Sequence, residues 1–324
     1  MSGRAFAGSA IAVLIALATG LAVGAVSLSP TEVWDGLRHS DAASAVIVRD
    51  LRAPRVLLAF VVGGSLAVCG AALQAMIRNP LAEPYLLGLS GGAGLGAVLA
   101  IASRASSPWA VPAAAFVGAL AAVGLVYRLS VAAGRRLDPR VLLLSGVVVG
   151  SFAGALMSAI IVLSDASGVR NAFLWLLGGF GAASWQSLAI FCAYALLPLL
   201  WLAWHSRSLD LIALGDEPAH HLGADVDRTR RLVYVTTALL TAASVATCGI
   251  IGFVGLVVPH AVRIVSRPLH RSLIPLVFLT GGAFLVLSDA VARTVVRPLE
   301  LPVGVITALV GVPLFAMLLR RTLA

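Results

Sequence analysis

Ten runs of mostly apolar residues divide this chain, at 8–28, 55–76, 90–103, 110–131, 141–163, 187–204, 232–251, 252–268, 272–293 and 302–319. A helix needs roughly 20 apolar residues to cross a bilayer, with a range of about 17–25. In hydrocarbon every backbone N–H and C=O must be bonded within the protein, which favours helices for runs of this length. Only 11% of the residues are charged and the mean hydropathy is +1.01. So few charges cannot cover a soluble surface. The expected fold is therefore all-α and polytopic, one transmembrane domain over residues 1–324 with about ten spans. The first run follows Arg4 and ends in "AVGAVS", as a cleaved leader would, but the many later spans favour a retained helix.

Arginine placement sets the orientation. All 23 basic residues are arginine. With ten spans and the N-terminus inside, fifteen arginines fall on the inner side: Arg4, Arg78, Arg128, Arg135, Arg136, Arg140, Arg207, Arg228, Arg230, Arg231, Arg263, Arg267, Arg271, Arg320 and Arg321. The other eight fall outside. Were the short run 252–268 not to cross, the Arg263–Arg271 cluster and the Arg320–Arg321 tail would both move outside. Inner loops carry the basic excess, so both termini are expected in the cytoplasm. The net charge of +9 is accounted for by arginines facing anionic lipid rather than nucleic acid.

The same composition excludes chemistries. Without lysine there is no P-loop and no Schiff-base site. Cys69, Cys192 and Cys248 lie in apolar runs with no ligand spacing and read as small core residues. His220 and His221 are adjacent, so on a helix they diverge and cannot share an ion. "GLSG" at 88–91 resembles the nucleophile motif of rhomboid proteases, with His260 as a conceivable base. The oxyanion-hole asparagine is missing, because neither Asn79 nor Asn171 follows a histidine at the required spacing.

Small residues punctuate the spans. Gly92 and Gly96 stand four apart, and Gly146, Gly150 and Gly154 form one stripe, as in tightly packed helix pairs. Segment 164–186 has an apolar centre too short to span, bounded by Gly178, Gly179 and Gly181. It reads as a re-entrant helix at a pore mouth or as an interfacial helix held by Trp175 and Trp185.

Charge patterning marks both sides. Asp289 and Arg293 are four apart and should pair along a helix. Arg52, Arg55, Arg293 and Arg297 sit on the outer side, against the usual bias. They suit either snorkelling to headgroups or an acidic partner docking from outside. On the inner side, residues 205–231 carry the densest polar stretch. "LDLIALG" can form a short helix ended by Gly215. A second then starts with Asp216 as N-cap and Glu217 and Pro218 in its first turn, and Gly223 ends it. Two short helices at a tight turn suit insertion into a groove of another protein.

"EPAHHLG" (Glu217, Pro218, Ala219 and, four residues on, Gly223) resembles the coupling loop of ABC importer permeases. Eight segments resemble the FecCD family, in that family's order: "RAPRVLLAFVVGGSLAVCGAALQ", "RNPLAEPYLLGLSGGAGLG", "FLWLLGGFGAASW", "LIALGDEPAHHLG", "GFVGLVVPHAVR", "HRSLIPL", "LSDAVART" and "ELPVGVITALVGVPLFAMLLRR". These are type II permeases that import ferric siderophores, haem and cobalamin. The resemblance implies a ten-span homodimer in the bacterial inner membrane. It also implies a partner ATPase dimer that binds ATP and Mg, a periplasmic binding protein, and no cofactor or catalytic residue in this chain. Leu214, Gly215, Asp216, Glu217, Pro218, Ala219 and Gly223 would couple to the ATPase. Asn79, Pro80 and Leu81 would form the inner gate. Arg52, Arg55 and Arg293 would receive carboxylates of the binding protein, and Phe173–Gly181 would lie near the outer mouth. The family loop usually has a small residue where Pro218 stands, so its helix is expected to start one residue later. The runner-up is a stand-alone secondary transporter, whose only candidate ion-coupling carboxylate is Asp289.

Overall fold

The computed structural model describes residues 2–39, 43–133, 138–266 and 269–323. Arg135, Arg136 and Arg267 lie outside them, as do the side chains of Arg320 and Arg321. Fourteen α-helices are described: α1 (Ser2–Ala22), α2 (Pro30–Arg38), α3 (Ala53–Ile77), α4 (Leu89–Ala102), α5 (Ala110–Ala133), α6 (Pro139–Val162), α7 (Ala166–Leu176), α8 (Trp185–Trp204), α9 (Ser206–Ala213), α10 (Asp216–His221), α11 (Val226–Cys248), α12 (Val254–Ser266), α13 (His270–Ala292) and α14 (Val303–Leu323). A π-helical segment, Val46–Arg52, leads directly into α3. Seven helical stretches are long and apolar enough to cross a membrane, and Leu89–Ala102, Val254–Val265 and Val303–Met317 are shorter apolar helices. These ten elements coincide with the ten expected runs.

The bundle is organised around α3, in which every residue from Val62 to Ile77 is buried. A helix apolar on all sides has no solvent or lipid face to present and belongs in the middle. Helices α8, α11, α12 and α13 pack around it. Lipid offers no hydrophobic drive between helices, so close approach must supply the contact energy. A methyl group at Gly70 of α3 would lie 1.8 Å from the carbonyl oxygen of Gly255 in α12. A second such seam joins α4 to α5, where a methyl on Gly92 would fall 2.4 Å from the Gly118 carbonyl oxygen. The expected stripe on α6 is only partly used. Gly146 abuts Leu86 and Gly150 meets Gly88, but Gly154 faces open space.

Several hydroxyls inside the bundle bond to their own helix. In α11 the Thr237, Thr241 and Ser244 hydroxyls donate to the carbonyls of Val233, Thr237 and Leu240 at 2.7–2.8 Å. Such back-bonding satisfies hydroxyls where no water is present. Tyr234 reaches across to α5 and donates to the Val123 carbonyl at 2.9 Å.

Two boundaries differ most from the apolar runs. Helix α1 stops at Ala22, and the chain then forms α2, opened by a capping box between Ser29 and Glu32. Helix α11 starts at Val226 rather than 232, because Asp225 caps it by accepting from the Arg228 N–H at 3.0 Å. Arg228, Arg230 and Arg231 thus become helical residues.

Candidate functional site

The polar stretch 205–231 folds as the two expected short helices. Leu209 and Ile212 are wholly buried and seat α9 on the bundle. Asp210 of α9 accepts from the backbone N–H of His270 at 3.0 Å and faces its ring Nδ1 at 2.6 Å, so it caps the start of α13. The turn to α10 runs through Gly215 at φ +120°, a conformation that side-chain-bearing residues rarely adopt. Gly223, at φ +83°, ends α10: its N–H donates to the His220 carbonyl and the Ala224 N–H to the Ala219 carbonyl, both at 2.9 Å. That pair of bonds is a Schellman motif, the reason glycine is needed there.

Two details of the expected loop are corrected. Gly215, not Asp216, is the N-cap, and Asp216 is the first helical residue. Its carboxylate is drawn away from the helix end by Arg230, which donates to Asp216 Oδ2 at 2.9 Å and also to Oδ1. Pro218 does not delay the helix. It is the third residue of α10, within the first turn, where a missing N–H costs nothing. Of the remaining loop residues, Ala219 is buried, while Leu214, Glu217, Pro218 and Gly223 are exposed, as is the neighbouring Leu222. Leu214 and Leu222 are 63% and 59% exposed, an apolar pair flanking an acidic residue on a surface otherwise polar.

Beside this loop lies the turn containing Asn79, Pro80 and Leu81. Arg78, at φ +56°, ends α3 in the left-handed region. Asn79 Oδ1 then accepts from the Leu81 N–H at 2.9 Å, and the Ala82 N–H donates to the Asn79 carbonyl at 3.1 Å. Such an Asx turn holds its own shape. Gln74, buried near the end of α3, donates to the Gly255 carbonyl at 3.2 Å and accepts from Arg263 of α12. Asp216 lies 3.6 Å from Arg78 Nη2, so loop and turn meet at one carboxylate.

The opposite end holds Arg52, Arg55 and Arg293. They do not form a set of free surface cations. The end of α1 leaves carbonyls short of helical partners. Arg52 donates to those of Leu21 and Ala22 at 2.6 and 2.9 Å, and Arg293 to that of Gly20 at 3.2 Å and to that of Val23, just past the helix, at 3.0 Å. Both side chains are buried, and their charge also complements the negative end of the helix dipole. Arg293 pairs with Asp289 at 3.0 Å, the i,i+4 contact anticipated from spacing. Arg55 donates to Asp289 at 2.9 Å and to Glu300 at 2.8 Å, and its side chain keeps 14% exposure.

Between the two ends several helices break. Segment 164–186 forms α7 and a return loop turned by Gly178 at φ +69°. The Gly179 N–H donates to the Cys248 carbonyl at 2.8 Å, and the N–H groups of Val303 and Gly304 donate to the Gly178 and Leu177 carbonyls. Glu83 accepts from the Phe253 N–H just before α12, and the Tyr85 hydroxyl accepts from the Ile251 N–H at 3.2 Å. A cavity of about 600 Å³ opens beside this loop, lined among others by Arg55, Asn171, Trp175, Asp289 and Glu300.

Residues 11–321 match the FecCD transport family. The chain belongs to that family. It is 45% identical over 275 residues to the cobalamin import system permease protein BtuC of Halobacterium salinarum, covering 85% of this chain and 73% of that one. It is 38% identical to the hemin transport system permease protein HmuU of Yersinia pestis, covering 98% of this chain and 96% of that one. A solved structure of an inward-facing ABC transporter described as of the metal-chelate type superposes with a TM-score of 0.86 at 30% identity, over 99% of this chain and all of that one. This FecCD-family chain is a multi-pass membrane protein and a transport component.

Four participants in the site escaped the sequence reading of this FecCD-family protein. Gln74 sits in an apolar run and gives no pattern. Glu300 was read only as part of a motif. Arg78 and Arg230 were counted for their side of the membrane, although their flanking of Asp216 becomes visible only once α3 and α11 are placed.

Proposed function

We propose that this protein is the permease subunit of an ATP-driven importer for a bulky metal chelate, cobalamin, haem or a ferric siderophore, in the cytoplasmic membrane with both termini inside. The observation that carries the reading is the exposed α9–α10 pair, held by buried Leu209, Ile212 and Ala219 and joined through Asp216 to the 79–81 turn. Such a surface has no use in a transporter that works alone. It suits a groove on a cytoplasmic ATPase, which supplies the P-loop lysine that this chain lacks. Leu214, Glu217, Pro218 and Leu222 make the contact, and Asn79, Pro80 and Leu81 form the inner gate between two copies of the chain. At the outer face Arg52 and Arg293 hold the helix ends, and Arg55 is the arginine that meets a carboxylate of a binding protein, which takes the place of the exposed Glu300 on Nη1. The cycle then needs only that ATP and the loaded binding protein each prefer one of two arrangements of the helices.

The ion-coupled alternative loses its candidate. Asp289 is bonded to both Arg55 and Arg293, so exchanging a proton or cation would remove the carboxylate that two buried or half-buried guanidinium groups share. Reconstitution tests the choice. Proteoliposomes holding this chain with its ATPase and binding protein should take up one of the three chelates only with internal ATP and with binding protein present. Uptake by this chain alone, or uptake that follows an ion gradient, contradicts the importer reading.

A further inference from the structure

Asp216 stands where three elements meet. Its carboxylate is gripped by Arg230 of α11, a side chain only 5% exposed, and it lies 3.6 Å from Arg78, which is 43% exposed. The Arg78 guanidinium also lies against the α9–α10 turn, where a methyl at Gly215 would come within 3.2 Å of Nη1. Arg78 is the last link of α3 before the gate turn, and Asn79 follows it in the chain. On its other side the turn is fixed: Gln74 ties it to Gly255 and Arg263 of α12.

We propose that Asp216 and Arg78 form the tie through which movement of α10 reaches the 79–81 turn, making Arg78 a positioning residue for the gate. This rests on the importer reading above. The two arginines divide the work. Arg230 holds the carboxylate through two bonds from a buried site, so it moves with α10 as one body. Arg78 meets the same carboxylate at a longer distance and half in water. A long, partly solvated contact can tighten in one state and slacken in another without breaking the fold, which is what a switching element requires. A path through Arg230 alone would move α11 and leave the turn to follow by packing.

The complete complex in proteoliposomes provides the test, with chelate uptake and ATP hydrolysis measured on the same sample. Arg78→Gln should lower uptake per ATP hydrolysed roughly tenfold while hydrolysis stays within about twofold of the unaltered complex. Arg78→Lys, which keeps a cation in a half-exposed place, should restore most of the uptake. Unchanged uptake per ATP in Arg78→Gln overturns the tie. So does a parallel fall of uptake and hydrolysis, which would place Arg78 in assembly, and so does a lysine variant as poor as the glutamine one. The unaltered complex distinguishes the two levels: if it shows no ATP-dependent uptake, the importer reading falls and the tie with it, whereas ATP-dependent uptake that survives Arg78→Gln removes the tie alone.

Discussion

The two polar ends of this molecule use their charges in opposite ways. At the outer end, Arg52, Arg55, Arg293 and Asp289 turn inward, and three of them have 6% exposure or less. They cap α1 and pin α3 to α13. At the inner end, Glu217, Pro218, His220 and His221 of α10 are exposed, while Asp216 is held by Arg230 and Asp210 of α9 by His270. Charges that hold helix ends are satisfied within the fold, whereas those of α10 are left largely to water, and Arg55, paired yet 14% exposed, stands between the two. Position in the chain does not separate the two kinds, and an arginine at a span boundary can belong to either.

Breaking the outer network should therefore cost stability first. Asp289→Ala leaves Arg55 and Arg293 without their shared carboxylate in a buried place. It should destabilise the detergent-solubilised protein by about 3–5 kcal/mol, read as a lowered melting temperature and a poor yield of monodisperse protein. Arg52→Gln removes a charged cap from the Leu21 and Ala22 carbonyls and should cost about 1.5–3 kcal/mol in the same assay. Glu300→Gln should cost no more than about 1 kcal/mol, because Glu300 is 41% exposed and its bond to Arg55 competes with water. If Glu300→Gln proved as damaging as Asp289→Ala, the outer end would be a single rigid cluster and the contrast with the inner end would narrow.

The sequence made the ten membrane helices visible, because bilayer thickness imposes a length and water-free lipid imposes helix. It also made the α9–α10 pair visible, since Gly215, Pro218 and Gly223 carry local signals that need no tertiary partner. Helix α2 was legible in principle: "SPTE" at 29–32 is a capping box, but it follows an apolar run that drew the first span too far. The role of Arg52 and Arg293 could not be read at all. A C-terminal cap supplied from distant helices leaves no spacing in the sequence, and both residues look like surface cations until α1 is set between α3 and α13. Gln74 is hidden for the same reason, as its partners Gly255 and Arg263 lie more than 180 residues away.

The most direct test of the contrast is to make Glu217→Arg and measure melting temperature and ATP-driven chelate uptake on the same preparation. Glu217 is exposed in the first turn of α10, where it adds at most about 1 kcal/mol through the helix dipole. The account predicts a melting temperature within a few degrees of that of the unaltered protein and uptake reduced to background. A melting temperature lowered further than that, or uptake that persists, would contradict the division between an outer end that holds and an inner end that meets its partner.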